Sequence, residues 1–357
     1  MKALRVLAGL LLAANLLSLP ASAEVRMTPA SRQQLVDTLA KEVDQRYVFP
    51  DVAGKVAAAL RAQQQRGAYD GAADARQLSE ALSREMQAAS GDRHLRVSYS
   101  DDPLPTQQSH VAPSPEDSAR RLAWMRSNNF GVQKIERLPL NIGVLELDGF
   151  MSAAHAADTL AAAMTALAYT DALIIDLRNN GGGDAATSTL LASYLLDGRT
   201  HLSDFYLREG NRLEQRWSLD VVPGLRYGQK KEVFILTSKD SFSAAEDFAY
   251  ALKNLKRATI VGETTGGGAN AGKDIPLMPH FVAFIPLSRL SSPITKANWE
   301  GVGVTPDVKV CAADALRTAQ LAILSKWAAS EQDSERLRQL TQRIAELGHV
   351  NATAACR

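Results

Sequence analysis

The strongest constraint on the fold is a series of short apolar segments that alternate with helical segments in the second half of the chain. Residues 172–177 and 233–236 are nearly continuous apolar runs, which are typical of strands buried on both faces. The stretches between such runs are rich in alanine and leucine and have helical spacing. Alternating strands and helices predict a layered α/β domain.

The regions on either side of this domain have a different pattern. From residue 31 to residue 90, apolar side chains recur every four positions, as at Leu35, Leu39 and Val43. This spacing predicts about three helices, followed by a short strand at residues 95–99. The predicted organisation is a signal peptide at 1–23, an N-terminal helical domain at 24–100, a linker and helix at 101–128, the α/β domain at 129–310 and a helical tail at 311–357.

The first 23 residues have the features of a secretory signal peptide. Lys2 and Arg5 precede an apolar run, and Ala21-Ser22-Ala23 is a cleavage site of small residues. A membrane anchor is the alternative, but the run is shorter than the roughly 20 residues that span a bilayer. We therefore expect a periplasmic or secreted protein that is not embedded in a membrane.

Charge, histidine spacing and cysteine content narrow the function classes. The 40 basic and 39 acidic residues nearly balance, and there is no basic run to bind nucleic acid. The six histidines lack metal-ligand spacing and no phosphate-binding glycine loop occurs, so no metal or organic cofactor is expected. In an oxidising compartment Cys311 and Cys356 are expected to form a disulfide, the alternative being two unpaired thiols.

Three loops contain residues that could support chemistry. Gly181-Gly182-Gly183 follows a buried strand, and its glycines either let backbone N–H groups approach a ligand or form a plain tight turn. Ser243 also follows a buried strand and opens a helix, where a serine acts as a nucleophile or only as a helix cap. Glu300 lies between turn residues and, taken alone, is expected to be solvated.

In their order along the chain these loops resemble the motifs of the tail-specific, or C-terminal processing, serine peptidases. The resemblance is to the branch related to interphotoreceptor retinoid-binding protein and the tricorn core protease, and it covers about residues 30–310. The motifs that carry it are Tyr47-Val48-Phe49-Pro50, Gly91-Asp92-Arg93-His94, Asp176-Leu177-Arg178-Asn179-Asn180-Gly181-Gly182-Gly183, Ser241-Phe242-Ser243-Ala244-Ala245-Glu246, Val261-Gly262-Glu263-Thr264-Thr265-Gly266-Gly267-Gly268-Ala269 and Asn298-Trp299-Glu300-Gly301-Val302-Gly303-Val304-Thr305-Pro306-Asp307.

The resemblance implies a crotonase-like fold, which this family shares with the Clp-type proteases. Ser243 matches the family's nucleophile, and Gly182 and Ala244 match the backbone donors of its oxyanion hole. The better-known branch has a lysine base at the position of Gly268, so a Ser–Lys dyad of that design is absent.

The tricorn-like branch instead uses a histidine base that a downstream carboxylate orients, and His94 and Glu300 occupy the matching positions. Taken alone, His94 would be interpreted as packing between domains. A histidine base with its ordinary pKa predicts activity that rises with pH through about 6.5. About forty residues separate Tyr99 from Asn141, too few for the PDZ domain of roughly 100 residues that many family members insert there.

The function predicted from the sequence is that of an exported serine endopeptidase acting on peptides or unfolded protein segments. Two alternatives stay open. One is a non-catalytic protein of the same fold that binds a hydrophobic ligand or a peptide, since the family includes retinoid-binding members and a fold does not fix a function. The other is an esterase that acts on small acyl substrates.

Overall fold

The computed structural model describes residues 27–104 and 114–349. The predicted signal peptide and Cys356 lie outside these residues, so the cleavage site and the disulfide stay predictions. Among the described helices, none combines the length and the hydropathy needed to cross a bilayer.

The three predicted N-terminal helices are present as α1 (Pro29–Arg46), α2 (Pro50–Gln65) and α3 (Ala75–Ser90). A proline in the first turn starts both α1 and α2, where its missing N–H costs no helical hydrogen bond. Gly91 ends α3 in the left-handed conformation, with a φ of 73°. The chain then enters β1 (Arg96–Tyr99).

The elements after β1 alternate much as the sequence predicts, and the tail is helical. In chain order they are α4 (Pro115–Ser127), β2 (Val132–Leu138), β3 (Ile142–Leu147), α5 (Ala153–Leu167), β4 (Ala172–Asp176), α6 (Ala185–Tyr194), β5 (His201–Leu207), β6 (Arg212–Trp217), β7 (Glu232–Thr237), α7 (Ala244–Asn254), β8 (Thr259–Gly262), β9 (Asn270–Met278), β10 (Phe281–Ser291), β11 (Val308–Lys309), α8 (Ala312–Ser330) and α9 (Ser334–Gly348).

The α/β layer is a six-stranded sheet in the order β11-β8-β7-β4-β3-β2. Its first five strands are parallel, and β2 joins the edge antiparallel to β3. Helices α5, α6 and α7 pack on one face through residues such as Leu160, Leu191 and Phe248. Helices α8 and α9 cover the other face through Ile323 and Leu340. Both faces of the parallel strands are therefore buried, as their apolar sequences require.

A second sheet, which the sequence analysis missed apart from its first strand, is antiparallel. Its order is β1-β10-β5-β6, with β9 paired to β10. Strand β1 follows the N-terminal helices yet pairs with β10, where Val97 lies opposite Ala283. Helices α1 to α3 share one core with this sheet, which includes Phe281 and Ile285. The loop that carries His94 is thereby joined to the rest of the chain by strand pairing.

Strands β4 and β7 are parallel neighbours, with Ile175 opposite Ile235. The loops that follow them therefore emerge at the same edge of the six-stranded sheet. These loops contain Gly182 and Ser243, so the fold itself brings two of the predicted motifs together.

Candidate active site

Ser243 occupies an unusual backbone conformation at the start of α7. Its φ of 55° and ψ of −117° are rare for a residue with a side chain. It is the N-cap residue of α7, so the position expected for a helix cap is confirmed. A strained turn between a buried strand and a helix is also the geometry that exposes a nucleophilic serine. The conformation is compatible with both roles, and the nucleophile assignment stays a prediction.

The loop that leads to Ser243 is held rigidly against the loop after β4. The Ser241 hydroxyl donates to the carbonyl of Leu177 at 2.7 Å and accepts from the N–H of Ser238 at 3.0 Å. The N–H of Phe242 donates to the carbonyl of Asn180 at 3.0 Å. The position of Ser243 is therefore fixed by hydrogen bonds to the glycine loop.

Gly182 lies directly behind Ser243. A Cβ atom built on Gly182 would stand 2.8 Å from Cβ of Ser243 and 3.0 Å from the amide nitrogen of Ala244, and the φ of Gly182 is 100°. Only glycine fits this close approach with a positive φ. Ala244 is the first residue of α7, where an N–H group has no intrahelical acceptor and favours negative charge.

The Gly182 N–H group is already engaged, because it donates to Oδ1 of Asn180 at 2.9 Å. Among the described residues the Gly183 N–H has no such acceptor. Gly183 lines a small cavity together with Ser243 and Ala244. Gly183 is therefore an alternative candidate for the second donor to an oxyanion.

The cavity beside Ser243 has a volume of about 60 Å³. Phe205, Leu290 and Trp299 form apolar walls, and Arg216 and Asp247 form a polar wall. These two side chains are buried and form an ion pair. The cavity can accept a small side chain next to a reacting Ser243.

His94 is buried, with 3% of its surface exposed, in the loop between α3 and β1. Its ring centroid lies 4.6 Å from that of Phe242 and 5.6 Å from that of Phe284. Burial lowers the pKa of His94 to about 4. The negative charge of Asp92 acts in the opposite direction, and the positive charges of Arg96 and Arg93 lower the pKa further. His94 is therefore neutral at physiological pH, as a general base must be.

Glu300 is half-buried and is anchored by one carboxylate oxygen. Its Oε2 accepts from the N–H groups of Ala269 at 2.6 Å and Asn270 at 3.0 Å, while Oε1 has no partner among the described residues. Burial raises the pKa of Glu300 to about 7, and the charge of Asp92 adds to this effect. The expectation of a solvated turn carboxylate is therefore wrong at this position.

The three predicted catalytic side chains are not joined by hydrogen bonds. Both ring nitrogens of His94 lack a partner among the described residues, so no hydrogen bond links His94 to Ser243 or to Glu300. The structure does bring His94 and Glu300 together with a third group, the carboxylate of Asp92. One ring nitrogen of His94 and one carboxylate oxygen from each of the two acidic residues all lie within 4.8 Å of one another. The predicted triad therefore requires a rearrangement that forms hydrogen bonds from His94 to Ser243 and to Glu300.

Glu246 is a further site residue that the sequence motif contained but to which no role was assigned. It is fully buried, and its carboxylate accepts from the N–H groups of Ser243 at 2.8 Å, Gly267 at 2.7 Å and Gly268 at 2.8 Å, and from the hydroxyl of Thr265. Burial raises the pKa of Glu246, and these hydrogen bonds oppose the increase. Glu246 thus connects the backbone of Ser243 to the loop that passes His94.

Gly268, the position of the lysine in the better-known branch, has no space for a side chain. A Cβ atom there would lie 2.3 Å from Cζ of Phe242 and 2.6 Å from Cε1 of His94. Lys273, the nearest lysine downstream, is exposed on β9. Lys273 therefore lies beyond the loop that contains Gly268.

Comparison with known proteins agrees with this architecture. Residues 141–310 match the model of peptidase family S41, and residues 19–128 match the N-terminal domain of this peptidase in eukaryotic IRBP. A lipoprotein from Streptococcus agalactiae has a TM-score of 0.54 at 14% identity, covering 85% of this chain and 99% of its own. The tricorn protease has a TM-score of 0.51 at 14% identity, covering 89% of this chain and 37% of its own. The prediction of a crotonase-like α/β fold with helices at the N-terminus is confirmed.

A curated relative matches a shorter region. The chloroplastic C-terminal processing peptidase of Tetradesmus obliquus is 27% identical over 146 residues, which make up 39% of this chain and 28% of that protein. The match therefore spans less than a third of the relative's length.

Proposed function

We propose that this chain, a member of peptidase family S41, is an exported serine endopeptidase that hydrolyses peptides or unfolded protein segments. The observation that carries the proposal is the conformation of Ser243. Its positive φ at the start of a helix, directly against Gly182, is costly for the fold and is explained by a catalytic role. Export rests on the sequence of residues 1–23 alone.

In the proposed reaction Ser243 Oγ attacks the carbonyl carbon of the scissile peptide bond and transfers its proton to His94. The N–H of Ala244 and that of Gly182 or Gly183 stabilise the negative charge on the carbonyl oxygen. Protonated His94 then delivers the proton to the leaving amine, and the C–N bond breaks. Water, deprotonated by His94, hydrolyses the resulting ester on Ser243. Glu300 stabilises the imidazolium in both halves of the reaction.

The reaction requires His94 to come within about 3 Å of Ser243 Oγ. Phe242 packs on the His94 ring, with 4.6 Å between the ring centroids. We propose that binding of a peptide shifts Phe242 and allows this approach, so that the site is assembled only with substrate. A site that is assembled only with substrate would limit uncontrolled proteolysis outside the cytoplasm.

Two cavities share Gly183, and the smaller one is also lined by Ser243. Together they suit an extended peptide. The small cavity between Phe205 and Leu290 accepts one substrate side chain. A groove of about 560 Å³ runs from Gly183 to α4, where Trp124 is 60% exposed. An extended segment fits this groove, whereas a folded domain would not, which favours peptides and unfolded segments over folded proteins.

The test compares hydrolysis of casein and of a p-nitrophenyl ester by the mature protein and by Ser243→Ala. The proposal expects casein fragments from the wild type and a loss of several orders of magnitude in the variant, whose thermal midpoint stays within a few degrees. Ester hydrolysis without casein cleavage would support the esterase alternative. If neither substrate is hydrolysed and a hydrophobic ligand or a peptide binds equally well to both proteins, the binding-protein alternative is correct.

A further inference from the structure

Asp92, His94 and Glu300 form a compact buried cluster that the proposed reaction uses only in part. One ligand-type atom from each residue lies within 4.8 Å of the other two. Nδ1 of His94 is 3.8 Å from Oδ1 of Asp92, which is longer than a hydrogen bond. The three residues are close enough to share an occupant but do not satisfy one another.

The polar atoms in this cluster lack partners to an unusual extent. Nδ1 and Nε2 of His94 and Oε1 of Glu300 are buried and accept or donate no hydrogen bond among the described residues. Leaving such atoms unpaired costs about 1–3 kcal/mol each. An occupant that binds a nitrogen lone pair and two carboxylates at once would remove this cost.

Other contacts hold the two carboxylates in place. Oδ2 of Asp92 accepts from the hydroxyl of Tyr47 and from Nδ2 of Asn270, both at 3.0 Å. Oε2 of Glu300 accepts from the backbone N–H of Asn270 at 3.0 Å. Supporting hydrogen bonds of this kind orient the carboxylate ligands of metal sites. Asn270 contacts both carboxylates and fixes their separation.

We propose that Asp92, His94 and Glu300 bind a divalent transition-metal ion such as Zn²⁺. One imidazole nitrogen and two carboxylate oxygens are ligands that Zn²⁺ accepts, with bonds of about 2.0–2.2 Å. In a tetrahedral site such ligand atoms lie about 3.4 Å apart, so small side-chain rotations close the cluster around the ion. In their ionised forms the two carboxylates complement the positive charge of the ion, which compensates for burial.

Metal binding would switch off the proposed reaction. A ring nitrogen of His94 that coordinates the ion has no lone pair to accept the proton of Ser243, and coordination holds the ring away from Ser243. The inhibitory effect rests on the proposed function, whereas the binding site does not.

The ligands come from segments about 200 residues apart in the chain, which is why no metal-ligand spacing is visible in the sequence.

The test is calorimetric titration of Zn²⁺ into the metal-free Ser243→Ala protein, which cannot cleave itself. We expect one equivalent to bind, and the affinity to fall at least about tenfold in Ser243→Ala combined with His94→Ala or with Glu300→Gln. His155, which is exposed on α5, provides the matched control. Ser243→Ala combined with His155→Ala should bind Zn²⁺ with the same affinity as Ser243→Ala alone. Mg²⁺ should not compete.

X-ray absorption at the zinc edge of the loaded Ser243→Ala protein identifies the donors without a ligand variant that could misfold. We expect one imidazole and otherwise oxygen donors. Absence of stoichiometric binding, sulfur donors, or unchanged affinity in a folded His94→Ala protein would each overturn the site. If Zn²⁺ binds as expected and the metal-free wild type has no hydrolytic activity, the metal site stands and the proposed function fails.

Discussion

Gly268 lies directly against the imidazole of His94, with only 2.6 Å between an ideal Cβ on Gly268 and Cε1 of His94. The branch of the family that uses a lysine base needs a long side chain at this position. In this chain the space is filled by His94 and by Phe242, whose ring lies 4.6 Å from that of His94. A side chain at position 268 would therefore have to displace the rings of His94 and Phe242 from their present positions.

Gly268→Lys should therefore abolish activity rather than restore a lysine base, and Gly268→Ala should already impair it. Even one carbon must displace the rings of Phe242 and His94, which we expect to cost about 1–3 kcal/mol of stability. Casein hydrolysis and thermal unfolding measure both effects. Gly198→Ala is the control, because a Cβ there meets no atom within 4 Å and the backbone is not left-handed. Full activity in a stable Gly268→Lys protein would show that His94 does not occupy this space.

The sequence predicted the parallel strands and the N-terminal helices because each has a regular apolar pattern. It did not predict the antiparallel strands β9 and β10, whose patterns are interrupted by Gly272, Pro276 and Pro286 and by two irregularities of register. Prolines and glycines normally argue against a strand interior. Here the pairing of β10 with β1, β5 and β9 stabilises the strands although their sequences contain these prolines and glycines.

The sequence motifs predicted Ser243, His94 and Glu300 as site residues, but not that hydrogen bonds between them are absent in the structure. Whether His94 touches Ser243 depends on two long-range features. One is its packing against Phe242, about 150 positions away, and the other is the pairing of β1 with β10, which joins residues about 190 positions apart. Asp92 was visible only as part of a motif. Its place beside Glu300 follows from contacts with Tyr47 and Asn270 that no local pattern encodes.

The pH dependence of activity should report Glu300 rather than His94. Burial lowers the pKa of His94 to about 4, so this base is already neutral above pH 5. Burial and the charge of Asp92 raise the pKa of Glu300 to about 7, and only its ionised form stabilises an imidazolium. In metal-free buffer, kcat/KM should therefore rise through about pH 7, above the value of 6.5 expected from the sequence alone.

The variant Glu300→Gln distinguishes the two groups. Its activity should be lower, and the limb near pH 7 should disappear because the titrating carboxyl is gone. Arg93→Gln and Arg96→Gln, which remove the positive charges that lower the pKa of His94, should leave this limb in place. A limb that persists near pH 7 in Glu300→Gln would show that another group controls the activity.

Glu246→Gln should destabilise the protein and slow the reaction. The buried carboxylate accepts from four donors, and an amide would turn its NH₂ group towards some of them. Breaking such a network costs about 3 kcal/mol. Below its unfolding temperature the variant should have a reduced kcat, since the N–H of Ser243 is no longer held. The control is Glu335→Gln, an exposed change on α9, which should alter neither the stability nor kcat. A Glu246→Gln protein as stable as the wild type would show that Glu246 does not hold this part of the structure in place.

A disulfide between Cys311 and Cys356 should be present in the exported protein. Cys311 is the N-cap residue of α8, so a bridge to Cys356 would hold the helical tail at the sheet. Bridges of this kind contribute about 2–4 kcal/mol. Titration of thiols in denaturant should find none before reduction, and reduction should lower the thermal midpoint. Two reactive thiols in freshly exported protein would rule out the bridge.

The central claim, that His94 activates Ser243, is tested most directly by the rate at which a fluorophosphonate labels the protein, followed by intact-mass and peptide mass spectrometry. We expect one adduct on Ser243 in the wild type, a rate reduced by several orders of magnitude in His94→Ala, an intermediate rate in Glu300→Gln and the wild-type rate in Lys273→Ala. An adduct at another residue, or rapid labelling in His94→Ala together with slow labelling in Lys273→Ala, would contradict the mechanism.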